Sequence, residues 1–443
     1  MEASASTAVL NQTAFYRSKS WERWQTLLPI LFLALVLRVV YFADAAYHGD
    51  MDHFAVWVDL IRAKGPFQFY DPSLRIGNWD RTYPQLSTLA FDAIAVIHRP
   101  IWTFGNTLAD PLFTSLDKVL PVVCELILIV VAYAWLRDRP VLRWLIPGIL
   151  AVYPGLIATS AWWGQYESTF TLFLVLALLA LNRDRPVLAW VCFAVAILFK
   201  QPAAVLAPLL LVLNFRRYGW RSTLIGVGVC TAICAVILAP FIAGSGFAGA
   251  LSPYLKAADI FPYMMNNAFN GWYILAFLNH GGMPIVFDKH YADALPIIGG
   301  FTYKYAGIIM YVSYILIISA IMWRHAAKRY EFVWATALFL GFFILPTQVH
   351  ERYIYPAAVL ALFSVAQERR MWWVAIAMIW TFSYNVLGIA IPYKWPKISS
   401  GTEILSLPTA LLNVAMFVWL TYFLLRHKTV EDGNDRELST SAA

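Results

Sequence analysis

The chain has 443 residues, of which 60% are hydrophobic and only 13% charged, well short of the roughly 25% charge of a water-soluble domain, so a soluble fold is excluded. The net charge of +7 is spread through short segments between apolar runs. That pattern excludes a dedicated nucleic-acid surface and fits the positive-inside rule of membrane proteins.

Residues 1–24 are polar and carry Arg17, Lys19 and Arg23. No small-residue cleavage site follows the first apolar run, so a cytoplasmic segment ahead of a retained helix is expected rather than a signal peptide. Apolar runs follow at 27–42, 119–135, 169–181, 223–242, 308–322, 372–391 and 411–425, each near the roughly 20 residues a helical span needs. The expectation is an all-α, polytopic membrane protein with 12–14 transmembrane helices and a long non-cytoplasmic first loop. One transmembrane domain occupies 25–427, with large external loops at 46–83 and 243–302. The charged tail, 428–443, is expected to be cytoplasmic and disordered. Cys124, Cys192, Cys230 and Cys234 lie inside apolar runs without metal-ligand or disulfide-framework spacing, and read as small buried hydrophobes.

Basic residues mark 137–143, 183–185, 216–221, 324–329, 369–370 and 426–428 as cytoplasmic. The remaining loops, 48–82, 162–168, 199–202, 243–300, 347–352 and 392–408, then share the opposite face. This sorting uses Lys and Arg alone, yet it gathers almost every unusual polar motif onto one face. Residues 83–136 must return the chain to the cytoplasm through an odd number of crossings: either one piece is re-entrant or 101–116 adds a crossing. Residues 188–213 read as a hairpin of two short helices with Lys200-Gln201-Pro202 at its outer tip, Pro202 and Pro208 favouring a broken helix.

The motifs on that face begin with His48-Gly49-Asp50-Met51-Asp52-His53-Phe54, with Trp57 seven residues after Asp50. Ionisable groups at the edge of a span are costly and mark functional sites. Asn78-Trp79-Asp80-Arg81-Thr82-Tyr83-Pro84-Gln85 closes the same loop. Tyr153-Pro154-Gly155 precedes Trp163-Gly164-Gln165-Tyr166-Glu167-Ser168. Phe199-Lys200-Gln201-Pro202 and Gln348-Val349-His350-Glu351-Arg352-Tyr353 complete the set. Each element also has a plain structural reading. His53 caps or packs a loop helix, Lys200 snorkels to the interface, and His350-Glu351-Arg352 forms an internal salt bridge. Trp162 and Trp163 belong to an interfacial aromatic belt, and Asn266, Asn267, Asn270 and Trp272 sit in an ordinary polar loop.

In order and spacing these elements resemble the GT-C superfamily of membrane glycosyltransferases that use polyprenyl-phosphate sugars. They look closest to the dolichyl-phosphate-glucose-dependent glucosyltransferases and their prokaryotic mannosyltransferase-like relatives. The resemblance spans roughly residues 25–365. It rests on Asp50 with Trp57, Tyr83-Pro84, the Gln165–Ser168 element, Lys200-Gln201 and His350-Glu351. The chain departs from the family pattern at Gln85, where the pattern has Pro, at Arg352, where it has Lys, and at Arg81, an added cation. The resemblance implies a hexose, mannose or glucose, transferred from a polyprenyl-phosphate carrier to a glycan or glycolipid acceptor. The site would lie on the non-cytoplasmic face of a multi-pass protein in the membrane lipid, with a prokaryotic plasma membrane as the expected location.

The chemistry asks for the same residue types independently. A base must take the acceptor hydroxyl proton, and positive charge must meet the leaving phosphate. Asp50 is the expected base, with Asp52 as a neighbouring carboxylate able to exchange roles with it. Lys200, His350 and Arg352 are expected to bind the donor phosphate. Trp57, Tyr83, Gln165, Glu167, Gln201 and Glu351 are expected around the substrates. Such cations stabilise a monophosphate without a metal, so no cofactor is expected; a divalent cation bridged by Asp50 and Asp52 is the alternative. Single displacement with one base implies inversion. A transporter or flippase of lipid-linked sugars would instead show repeats and charges near the membrane midplane. A non-catalytic subunit would leave the ordered polar elements without a role.

Overall fold

The computed structural model describes residues 25, 27–44, 48–74, 81–98, 110–256, 260–280, 291–395 and 403–426. The expectations for residues 1–24, for Asn78-Trp79-Asp80 and for the tail at 428–443 lie outside the described residues. The described residues are helical almost throughout; the one sheet among them is a two-stranded antiparallel hairpin, β1 (Pro296–Ile298) and β2 (Phe301–Thr302). The all-α, polytopic expectation holds.

The first half of the chain supplies α1 (Leu27–Val39), α2 (His48–Lys64), α3 (Gln85–His98), α4 (Pro111–Trp135), α5 (Pro140–Val152), α6 (Pro154–Ile157), α7 (Glu167–Asn182) and α8 (Pro186–Phe199). The second half supplies α9 (Ala207–Leu255), α10 (Gly271–His280), α11 (Tyr303–Arg324), α12 (Glu331–Ile344), α13 (Tyr355–Ser364), α14 (Met371–Lys394) and α15 (Ser406–Arg426). Local sequence sets several starts. Asp110 caps α4 by accepting from the Leu112 N–H at 2.9 Å, and Pro111, Pro140 and Pro186 occupy first helical positions, where a missing N–H costs nothing. α9 is divided by non-helical backbone at Gly219 (φ 79°) and Gly246 (φ 73°), a conformation open to glycine.

Five described helices are long and apolar enough to cross a bilayer, and a sixth span arises if the pair bent by 44° at Tyr153, Pro140–Val152 with Pro154–Trp162, is counted as one. α1, α3, α7, α8 and α12 are apolar but only 10–17 residues long. Among the described residues, full-length spans therefore do not reach the expected 12–14. Polar segments enter the bundle at Tyr153-Pro154, at Lys200 and at 345–352, and shorten the helices there. Residues 111–116 open α4; 101–109 lie outside the described residues.

The bundle core is built from Leu174, Leu178, Phe339, Val359 and Met378, all enclosed. Two smaller cores cap one end of it. Phe54, Trp57, Phe69, Tyr83, Phe91 and Tyr166 pack α2 and α3 onto α4 and the start of α7. Met264, Phe269, Trp272, Tyr273 and Tyr291 form the other, around α10. An ion pair also ties helices together inside the bundle. Arg38 of α1 meets Glu125 of α4 at 2.6 Å, and Tyr355 of α13 donates to the same carboxylate at 2.7 Å. Arg38 also donates to the carbonyls of Ala34, Ala151 and Leu150. The last two stand at the end of α5, where Pro154 removes a helical donor.

Candidate active site

The site forms where the first turn of α2, a π-turn, the break after α8 and the segment after α12 meet at the capped end of the bundle. The π-turn, Ala158–Trp162, is closed by the Trp163 N–H on the Ala158 carbonyl at 2.8 Å. Such turns are rare and recur at functional sites. Gly164 follows with φ +79°, and a Cβ there would meet the Asp117 carboxylate at 2.8 Å; both the conformation and the space demand glycine. This local geometry points the Trp163 indole and the Gln165 amide at one carboxylate, that of Asp50, in the first turn of α2.

Asp50 Oδ2 accepts from Trp163 Nε1 at 2.9 Å and from Gln165 Nε2 at 2.8 Å, with Arg352 Nη2 at 3.8 Å. All three contacts fall on the same oxygen, and Oδ1 carries none among the described residues. Asp50 is 21% exposed and Arg352 11%, so this pair faces the opening while its supports are enclosed. Arg352 extends the network to Glu351 at 2.6 Å and to Glu167 at 3.4 Å. Lys200, at the extended break after α8, reaches the same Glu167 oxygen at 2.5 Å and donates to the Tyr83 hydroxyl at 3.1 Å. Tyr83 in turn donates to Gln165 Oε1 at 2.7 Å. Asp50, Tyr83, Gln165, Glu167, Lys200, Glu351 and Arg352, drawn from positions 50 to 352, thus share one network of hydrogen bonds and ion pairs.

Charge states follow from burial and neighbours. Burial pulls the Lys200 ammonium below the ordinary lysine value, with Glu167 pulling it back. Burial pushes the Tyr83 hydroxyl well up, with the Glu167 carboxylate adding to it, so Tyr83 stays protonated and able to donate. Burial, reinforced by Arg352, lowers His350, which makes its imidazole neutral at physiological pH. Burial alone would raise Glu351, but the Arg352 guanidinium, the His350 side chain and a backbone hydrogen bond together outweigh it and bring the carboxyl to about 2.

The remaining expected residues have distinct places. His350 stacks edge-on against Phe261 with ring centroids 4.8 Å apart, and its Nδ1 lies 3.8 Å from Glu351. Gln201 donates to the carbonyls of Pro253, at 2.8 Å, and Thr82, joining the first loop to the end of α9. Trp57 is enclosed beneath the site, 5.5 Å centroid to centroid from Tyr83, where it backs the tyrosine. Asp52 is half-buried two positions after Asp50 on α2. Residues so spaced point about 200° apart around a helix, so the two carboxylates do not converge. Among the described residues no group of three or more His, Cys, Asp or Glu side chains is placed to hold a metal ion.

Several contributors were not anticipated. Trp163 orients Asp50 rather than serving a membrane belt. Asp293 accepts from Thr347 at 2.8 Å and Gln348 at 2.7 Å, holding Gln348 at φ +66°. Asn270 caps α10 through the Trp272 and Tyr273 N–H groups, and the Asn266 N–H donates to the Val349 carbonyl at 2.9 Å, so these loop asparagines clamp the His350 segment. Lys118, fully buried in α4, donates to the carbonyls of Tyr41 and Asp44, and Asp44 accepts from Trp162 at 3.0 Å. These ties fix the chain just ahead of Asp50.

A cavity of about 450 Å³ opens beside the network. Its polar end is lined by Thr82, Gln201, Gln348, His350 and Arg352, and its body by Val205, Pro208, Ile308, Ile315 and Phe342. One charged mouth on an apolar trough suits an amphiphile with an anionic head.

Residues 116–264 match the family model described as the ALG6, ALG8 glycosyltransferase family. The match supports the GT-C resemblance drawn from the motifs, and with it a membrane glycosyltransferase using a lipid-linked sugar. The matched stretch contains the π-turn, Gly164, Gln165, Glu167, Lys200 and Gln201. It omits Asp50 and Arg352, which the fold carries to the same place. No curated protein matches the chain.

Proposed function

We propose that the protein is an inverting glycosyltransferase that moves one hexose, glucose or mannose, from a polyprenyl-phosphate carrier to a glycan or glycolipid. The reaction would occur at the non-cytoplasmic face of a prokaryotic plasma membrane. The observation that carries this reading is Asp50 itself: one oxygen is held by Trp163, Gln165 and Arg352, and Arg352 in turn lines an amphiphile-shaped cavity.

Asp50 Oδ1 takes the acceptor hydroxyl proton as that oxygen attacks the anomeric carbon from the side opposite the phosphate. The bond from the anomeric carbon to the phosphate oxygen breaks, and the carrier leaves as a phosphate monoester with one more negative charge. Arg352 meets that charge directly. Lys200, which does not line the cavity, contributes positive field and holds Glu167 in place. Neutral His350 donates a hydrogen bond rather than charge. The apolar body of the cavity takes the start of the polyprenyl chain. The basic segments 183–185 and 324–329 stand at the far ends of α7 and α11 from this site, and 216–221 lies at the Gly219 break within α9, which supports the non-cytoplasmic assignment.

The test uses purified full-length protein with synthetic polyprenyl-phosphate glucose and polyprenyl-phosphate mannose, following release of polyprenyl phosphate. Wild type is expected to turn over one of the two. Asp50→Asn, which keeps the acceptor for Trp163 and Gln165, is expected to lower turnover by about 100- to 10,000-fold at an unchanged melting temperature. Near-wild-type turnover by Asp50→Asn removes the proposed base.

A further inference from the structure

A second cavity, of about 380 Å³, lies at the opposite end of the bundle from Asp50. Arg216, Arg217 and Tyr218 of α9, Arg324 of α11, and Asp184 and Arg329 of the adjoining loops line it. α7 runs from Glu167 in the active site to Asn182 beside this cavity. α11, 22 residues long, spans about 33 Å at 1.5 Å per residue. That is the thickness of a bilayer hydrocarbon core, so the cavity sits in the other headgroup layer.

Its charges do not cancel. Arg329 grips Asp184 through both carboxylate oxygens, at 2.8 and 2.9 Å. Arg217 is paired with Glu331 at 2.6 Å and donates to the carbonyls of Ala326 and Lys328. Both carboxylates are thereby answered. Among the described residues Arg216 makes one hydrogen bond, to the Trp323 carbonyl at 3.2 Å, with its guanidinium over the Trp323 ring at 4.9 Å. Arg324 is exposed and has no carboxylate partner among the described residues. Two guanidinium groups are left facing one hollow. Beside them Phe215 and Trp323 stack with centroids 5.5 Å apart, and each is 44% exposed.

We infer that this cavity binds the phosphodiester headgroup of an anionic phospholipid. Arg216 and Arg324 hold the phosphate, for which the planar fork of a guanidinium is well matched, and Phe215 with Trp323 receives the upper acyl chain. Basic hollows between membrane helices at the headgroup level recognise lipid in this way. The inference does not depend on the reaction proposed for Asp50.

The experiment measures phosphatidylglycerol retained by the full-length protein in competition with phosphatidylcholine, by native mass spectrometry. Wild type is expected to keep phosphatidylglycerol preferentially. Arg216→Gln/Arg324→Gln is expected to weaken that preference about 20- to 30-fold, from two surface cations at about 1 kcal/mol each. Arg216→Lys/Arg324→Lys is expected to retain part of it, which separates loss of charge from loss of fold. Arg137→Gln/Arg139→Gln removes equal charge from the same end of the bundle and is expected to leave it intact. An unchanged preference in the first variant, or an equal loss in the last, overturns the assignment. So does displacement of the lipid by an equal concentration of inorganic phosphate, which would mark a site for free anions.

Discussion

Two buried clusters of charge, both bound to α4, α7 or α13, differ in how completely they are satisfied. In the bundle interior Arg38 and Glu125 are 0% and 2% exposed, and every Arg38 contact has a carbonyl or carboxylate at hydrogen-bonding distance. At the capped end, Arg352 Nε and Glu167 Oε2 are buried without a hydrogen-bond partner, as are Gln348 Oε1 and Asn266 Oδ1. Buried polar groups are normally paired, and a buried charge pair holds only if its remaining groups are bonded too. The interior cluster is closed and serves the fold. The outer one has capacity left over, all of it around Asp50 and the cavity mouth, which is where a substrate would supply the missing partners.

The comparison breaks or sharpens through variants that exchange stability against rate. Glu125→Ala leaves Arg38 charged in the interior and is expected to cost about 3–5 kcal/mol of stability, seen as loss of folded protein in detergent unfolding; unchanged unfolding would end the distinction. Arg352→Gln is expected to lower carrier release by about 100- to 1,000-fold with little change in melting temperature. Gly164→Ala forces a left-handed φ on alanine and moves the Trp163–Gln165 turn; a shift near 1 Å is expected to lower turnover about 100-fold, with Asp50 itself unaltered. The smallest effect is in pH. Glu351 falls from an ordinary 4.5 to about 2 in the fold. Its contribution is therefore present above pH 4.5 and lost as pH falls towards 2. Glu351→Gln is expected to flatten that part of the stability profile relative to wild type, measured as the difference between the two curves.

How much of this was legible in the sequence depended on the kind of contact. Asp50, Gln165, Lys200 and Glu351-Arg352 stood out because each puts polar chemistry at the edge of an apolar run. Their sharing of one face followed from Lys and Arg counts alone. Trp163 did not stand out, because an indole at a membrane boundary has the same composition signal whether it anchors in lipid or donates to a carboxylate. Arg38 and Glu125 each sat inside an apolar run and were passed over. Opposite charges buried in two neighbouring spans are a readable signal, since an unpaired one is costly in the membrane. The direction of Asp52 was not readable until the cluster was known to start a helix rather than lie in a loop. The lengths of the helices were obscured for the same reason: hydropathy does not register a break such as Lys200, where the backbone turns extended for one residue.

The π-turn at Ala158–Trp162 has a consequence for length rather than side-chain identity. It holds one residue more than an α-helical turn, and that residue sets the phase of everything up to Glu167. Removing any one position from 158–162 would let the segment relax to regular helix and rotate the following side chains by about 100°. Trp163 and Gln165 would then face away from Asp50 with every named residue still present. The spacing of this segment is thus as much a part of the site as its chemistry.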